Sequence, residues 1–170
     1  MVKRVGILLE DFYNEFEFWY PYYRLKEAEV EVLVVGPAAG ATCHAKGGLP
    51  ARADVAADAV TADDLDGLVV PGGYAPDRMR RNPAMLKLVG EVFRQGKPVA
   101  AICHAAWVLV SAGVLRGRRA TCFFSVKDDL INAGARYENA EVVVDGNLIT
   151  SRQPEDLPTF MKALLAALEL

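Results

Sequence analysis

The sequence predicts an α/β fold, a flavodoxin-like three-layer sandwich with a mostly parallel central sheet, and three observations point to it. Residues 5–9 form a continuous apolar run that reads as a strand covered on both faces, and 30–35, 68–70 and 98–102 read as further strands. Stretches of helical periodicity alternate with them, the pattern of parallel strands joined by crossover helices. Residues 1–170 contain no internal repeat and no long linker, so the chain reads as a single domain.

The elements follow in order. The strand at 5–9 gives way to Glu10 and Asp11, and residues 14–28 carry Phe16, Tyr20 and Tyr23 at helical spacing with Arg24, Lys26 and Glu27 as polar cover. Pro21 inside that pattern is expected to end or kink the helix, because it removes a donor and crowds the preceding turn. The strand at 30–35 stops at Gly36-Pro37. Residues 46–54 read as a short hairpin or loop around Gly47-Gly48, and the Ala/Asp-rich stretch 53–66 as loop. The strand at 68–70 ends in Pro71-Gly72-Gly73. Asn82 caps a helix with Pro83 at its first position, running to Gln95 and stopped by Gly96. After the strand at 98–102, a helix at 105–112 is closed by Gly113. Residues 125–133 form another helix, 141–144 and 148–150 a hairpin turning at Asp145-Gly146, and 154–168 the last helix.

Composition narrows the function. Nineteen Lys and Arg stand against 22 Asp and Glu, a net charge of -3, so nothing favours a nucleic-acid or anionic-membrane partner. No apolar stretch approaches the roughly 20 residues of a membrane span, and the first residues run into a strand without a cleavage signal. Three cysteines, Cys43, Cys103 and Cys122, with no CxxC spacing, indicate a reducing compartment and a cytoplasmic location. With His44 and His104 the only imidazoles, no metal site is expected.

The segment KPVAAICHAAWVLVSAG carries the chemistry. A buried strand runs straight into an apolar helix with Cys103 at the junction and Ala101 and Ala105 two residues either side, the pattern of a nucleophile elbow. The helix that follows is expected to lower the thiol pKa. At pH 7 a thiol of pKa about 8.5 is only ~3% thiolate, whereas one near 5.5 is ~97%. A buried core cysteine is the alternative. Gly73, at the carboxyl end of the preceding strand, supplies a backbone N–H that together with that of His104 would form an oxyanion hole. Of the acidic pair Glu15 and Glu17, one is expected to face the crevice with a raised pKa and a proton to offer a thiolate. For Glu15 a solvated helix-start carboxylate is the better reading. Neighbouring side chains on a tight turn tend to point apart, so a Cys103–His104 pair within the chain is not assumed, and Glu17 stands as the nearer proton partner. Cys43, in a loop, and Cys122 read as structural. Trp19, Tyr20, Tyr22 and Tyr23 read as core or subunit interface.

The segments GILLEDFYNEFEFWYPYYRLKEA, LVVPGGYAPDRMR, GKPVAAICHAAWVLVSAGVLRGRRAT, KDDLINAGA and EVVVDGNLITSRQPEDLP occur in order over nearly the whole chain. On them the chain resembles the ThiJ/PfpI family of the class I glutamine amidotransferase-like superfamily, and within it the PfpI-like branch. The resemblance implies the flavodoxin-like fold and a homodimer that assembles further, up to a hexamer. It places the nucleophile at Cys103, the imidazole at His104, the cysteine-contacting glutamate at Glu17 and the oxyanion-hole glycine at Gly73. In the oligomeric branch an acid from a neighbouring subunit completes a Cys–His–acid arrangement, and that position here is Asp77, one methylene shorter than glutamate. Asn14 stands where a second family glutamate would, with Glu15 beside it, and Phe123 stands where close relatives carry a tyrosine.

The leading expectation is therefore a cysteine-dependent, cofactor-free enzyme of the glyoxalase III or protein deglycase type, acting on a small aldehyde or a glycated substrate. An intracellular cysteine peptidase and a non-catalytic oxidative-stress sensor acting through Cys103 are the alternatives.

Overall fold

The computed structural model describes residues 2–170. β1 (Arg4–Leu8) leads into α1 (Glu15–Glu27), and β2 (Glu31–Gly36) follows. A two-stranded antiparallel hairpin, β3 (Thr42–His44) and β4 (Pro50–Arg52), stands outside the main sheet, and β5 (Val55–Ala56) adds to its edge. Next come β6 (Gly67–Val70), the short α2 (Ala75–Met79), α3 (Pro83–Arg94), β7 (Val99–Ile102) and α4 (Ala106–Ala112). The parallel pair β8 (Arg119–Ala120) and β9 (Arg136–Tyr137) brackets α5 (Lys127–Asn132). β10 (Val143–Asp145), β11 (Leu148–Ser151) and α6 (Leu157–Ala167) complete the chain.

Among the described residues the main sheet has seven strands in the order β10-β11-β7-β6-β1-β2-β5, and only the β10–β11 pair is antiparallel. Helices lie on both sides of it, α1 packing with α6 and α4 with α2, α3 and α5. The doubly covered strands explain the continuous apolar runs: β6 and β7 are buried at every position. From β1 the chain crosses first to β2 on one side and then to β6 and β7 on the other. The carboxyl ends of β1 and β6 therefore flank a topological switch point, the usual seat of a ligand crevice.

The expected stop at Pro21 does not occur, for α1 runs unbroken through it. Proline removes only the bond to the Glu17 carbonyl. Burial of Pro21 with Phe18 and Leu25 against the core outweighs that loss. The hairpin begins earlier than residue 46, so Cys43 lies buried in β3 rather than in a loop. The 53–66 stretch holds β5 and two 3-10 turns, and α2, β8 and β9 are too short for periodicity to reveal. The caps are where the sequence puts them. Asn82 Oδ1 accepts from the N–H groups of Ala84 and Met85, and Gly113 closes α4 at φ 71°. Replacing Asn82 by Ala strips α3 of its side-chain cap, and we expect a loss of about 1 kcal/mol in urea unfolding with the denaturant slope unchanged.

Candidate active site

Cys103 sits immediately after β7 with φ 63°, left-handed backbone that side chains other than glycine rarely adopt. This turn holds Cys103 at the carboxyl end of β7, the residue 8% exposed. Beside it, Pro71-Gly72-Gly73 ends β6. A Cβ on Gly72 would stand 2.5 Å from Glu17 Oε2 and 2.9 Å from Cys103 Cβ, so the backbone there fits between the two only without a side chain. Gly73 is also constrained: its φ is +80°, and a Cβ would meet the Phe12 carbonyl and the Asn14 nitrogen at 2.6 Å. That approach pairs Tyr13 with Gly73 and lets Asn14 N–H donate to the Gly72 carbonyl at 3.2 Å.

Glu17 comes from the first turn of α1, which Asn14 caps through its Oδ1. The carboxyl is wholly buried, and its Oε2 accepts from the Gly72 N–H at 2.7 Å. Desolvation pushes its pKa up to about 7, against smaller lowering by the Gly72 N–H, the Cys103 side chain and Lys46. Of the acidic pair, then, Glu17 faces the crevice. Glu15 instead accepts from the Gly47 N–H and ties the β3–β4 turn to α1. Further bonds hold that hairpin against the β1–α1 loop: Phe12 N–H to the His44 carbonyl at 2.7 Å, Lys46 N–H to the Tyr13 carbonyl at 2.9 Å and Tyr13 O–H to the Leu49 carbonyl at 2.6 Å.

Two expectations about the sulfur are corrected. The Cys103 thiol pKa is raised, not lowered, first by burial and then by the Glu17 charge. The N–H groups of His104 and Gly73 act on the sulfur in the lowering direction but are outweighed. The side chains of Cys103 and His104 also do not diverge, since Nδ1 of His104 lies 3.2 Å from Sγ. The left-handed turn swings the sulfur back toward its neighbour's ring. The imidazole is stacked on Phe123 (ring centroids 5.1 Å apart) and edge-on to Trp107 (5.2 Å), and its Nε2 is 3.3 Å from Ser125 Oγ. Burial and Lys46 lower its pKa, which favours the neutral ring.

The structure thus brings together Cys103, His104, Glu17 and Gly73 but leaves Asp77 aside. Asp77 lies on α2 and is ion-paired with Arg81 at 3.3 Å in the wall of a 380 Å³ cavity shared with Phe12, Tyr74, Arg78 and Trp107. Sequence reasoning missed Trp107, Lys46 and Ser125. Trp107 had a local signal, three residues beyond His104 at helical spacing. Ser125 had none, because its approach depends on the chain returning past the elbow. Cys43 and Cys122 are buried as well, and burial pushes their pKa values up to about 12.

Residues 3–167 match the DJ-1/PfpI family. The chain belongs to that family. It is 46% identical over 98% of its length, and 99% of the relative's, to a Pyrococcus abyssi protein named as a deglycase. It is 38% identical, over 99% of both chains, to protein/nucleic acid deglycase 2 of Escherichia coli. Among solved structures it resembles an Anabaena variabilis two-domain protein with DJ-1/ThiJ/PfpI-like and ferritin-like domains, at TM-score 0.97 and 45% identity. The match covers 98% of this chain and 48% of that one, so the chain spans about half of it. Drosophila melanogaster DJ-1beta superposes with TM-score 0.92 at 30% identity, covering 100% of this chain and 92% of that one. The flavodoxin-like expectation holds.

Because the buried Glu17 carboxyl is easier to accommodate protonated, its contribution to folding is greatest below its ordinary value of 4.5 and is lost as pH rises through about 7. A shift of that size corresponds to roughly 3 kcal/mol. We expect Glu17→Gln to gain stability relative to the parent between pH 5 and pH 8 in urea titrations, and its Cys103 to alkylate with a midpoint at lower pH. Parallel stability profiles would rule out the buried-acid reading.

Proposed function

We propose that this protein is a cysteine-dependent, cofactor-free enzyme acting on small reactive carbonyls, of the glyoxalase III or protein deglycase type, with Cys103 as nucleophile. The observation that carries the reading is the left-handed turn that sets the Cys103 sulfur 3.2 Å from His104 Nδ1 while the Gly73 and His104 N–H groups act on the same atom. The raised thiol pKa makes the resting nucleophile a protonated thiol that is activated in place, with His104 as its proton acceptor and the Glu17 carboxyl as the acid beside it.

With methylglyoxal, the sulfur bonds to the aldehyde carbon while the carbonyl electron pair moves onto oxygen. That oxyanion, held by the Gly73 and His104 N–H groups, receives the proton lost by the thiol, giving a hemithioacetal. A proton then leaves the former aldehyde carbon and one adds at the neighbouring carbon, while the hemithioacetal hydroxyl gives up its proton and the ketone oxygen gains one, so that the first carbon becomes a thioester carbonyl and the second an alcohol. One carbon is oxidised and its neighbour reduced, so no external electron acceptor is needed. Water cleaves the resulting thioester to lactate and regenerates the thiol. With an amine glycated by the same aldehyde, the sulfur would bond to the carbinol carbon of the adduct as its C–N bond breaks, the thiol proton leaving with the released amine, and the same hemithioacetal would result.

Asp77 enters this reading as the acid that a neighbouring subunit brings toward His104. A second copy of the chain is the proposed partner, as a homodimer and, beyond it, a hexamer. Phe16, Tyr20, Tyr23 and Leu49, exposed together along α1 and the hairpin, support an interface between copies. The peptidase and sensor readings use the same sulfur. Its slight exposure and raised pKa weigh against a resting thiolate built for oxidation.

The test is lactate release from methylglyoxal. Cys103→Ser should lower kcat/KM by at least about a hundredfold, and equal rates would remove Cys103 from the mechanism. Peptide turnover that iodoacetamide abolishes, with no lactate formed, would favour the peptidase.

A further inference from the structure

We propose that Ser125 is a positioning residue for His104: its hydroxyl accepts the Nε2 proton and so keeps Nδ1 bare toward the Cys103 sulfur. The inference rests on Cys103 being the nucleophile and adds a residue to that site. Both ring nitrogens have partners within one chain, Sγ at 3.2 Å from Nδ1 and Ser125 Oγ at 3.3 Å from Nε2. A neutral imidazole carries one proton and one lone pair in its plane, and the bond made by one nitrogen fixes the role of the other. For Nδ1 to take the thiol proton it must be the bare nitrogen, which puts the ring proton on Nε2, facing an oxygen able to accept it. Once the thiol proton has moved, both nitrogens carry hydrogen, and Ser125 still accepts. One hydroxyl therefore serves both protonation states without turning.

Ser125 is held in place by the backbone that also builds the elbow. It lies in the 3-10 turn Phe124–Val126, whose Val126 N–H donates to the Phe123 carbonyl at 3.0 Å. Phe123 N–H in turn donates to the Cys103 carbonyl at 3.3 Å, and its ring stacks on the imidazole. Just before it, Thr121 N–H donates to Thr150 Oγ1 on β11 at 2.9 Å. Within one chain the imidazole's second partner is Ser125, at 3.3 Å from Nε2.

The experiment reads the tautomer directly. The chain has two histidines, so ring ¹⁵N resonances can be assigned with a His44→Gln variant. His104 in the parent should be in the Nε2–H form. Ser125→Ala should mix the tautomers and slow iodoacetamide alkylation of Cys103, followed by peptide mass spectrometry, by about threefold to tenfold, the loss of one hydrogen bond. Ser125→Thr should restore both. Ser125 is exposed, so its removal leaves the core untouched, and unchanged urea unfolding would verify that. An Nδ1–H ring in the parent, or a Ser125→Ala protein with parental tautomer and alkylation rate, overturns the inference. So does a tautomer that moves in Asp77→Asn but not in Ser125→Ala. Failure of the nucleophile reading is separate: it would appear as full turnover by Cys103→Ser, whatever the tautomer.

Discussion

The site depends on the backbone of Gly72 and Gly73 passing between Glu17 and Cys103 with no side chain of its own. Three elements converge there, the β1–α1 loop, the end of β6 and the turn after β7, and each contributes one part of the arrangement. The Gly72 N–H binds the carboxyl, and the Gly73 N–H acts on the sulfur. A methyl group at Gly72 would collide with Glu17 and with the turn after β7, and one at Gly73 with the β1–α1 loop. The pairing of Tyr13 with Gly73 then locks the approach. Close contact of main chains, more than any individual side chain, sets the distance between the acid and the thiol.

That closeness decides the proton distribution. A helix terminus offers a charge about 0.3–1 kcal/mol, less than one pKa unit, whereas full burial moves an ionisable group by several units. At Cys103 the second effect wins, and an anionic Glu17 adds to it. At Glu17 burial prevails as well, over one strong N–H bond. Acid and thiol are therefore each easier to accommodate neutral, and a basic group within reach becomes necessary. The lowered pKa of His104 keeps its ring neutral and able to accept. The packing of that ring between Phe123 and Trp107 fixes where it accepts from.

Much of the fold was legible because its strands are buried on both faces and its helix ends are capped by Asn82 and Gly113, both local signals. Pro21 misled, since a local rule about donors takes no account of a buried ring held by tertiary contacts. The elbow was legible from small residues around Cys103, and Glu17 from a carboxyl in an aromatic run. The direction of the Cys103 shift was not, because desolvation is a property of the assembled core and the sequence displays only the neighbouring helix. Nor was the Cys103–His104 contact, which depends on the sign of one backbone angle. Ser125 illustrates the same limit: it reaches the imidazole only after the chain has folded back.

The small β3–β4 ribbon lies outside the seven-stranded sheet, yet it is stitched to Phe12, Tyr13 and Glu15, the residues that lead into the Tyr13–Gly73 pairing and the first turn of α1. Local opening of such a peripheral unit takes less free energy than global unfolding. Peeling it away would free the loop that leads into the first turn of α1 while the sheet stayed whole. Loss of function on warming can therefore precede any change in secondary structure, and the persistence of the chemistry is governed by the edge of the molecule.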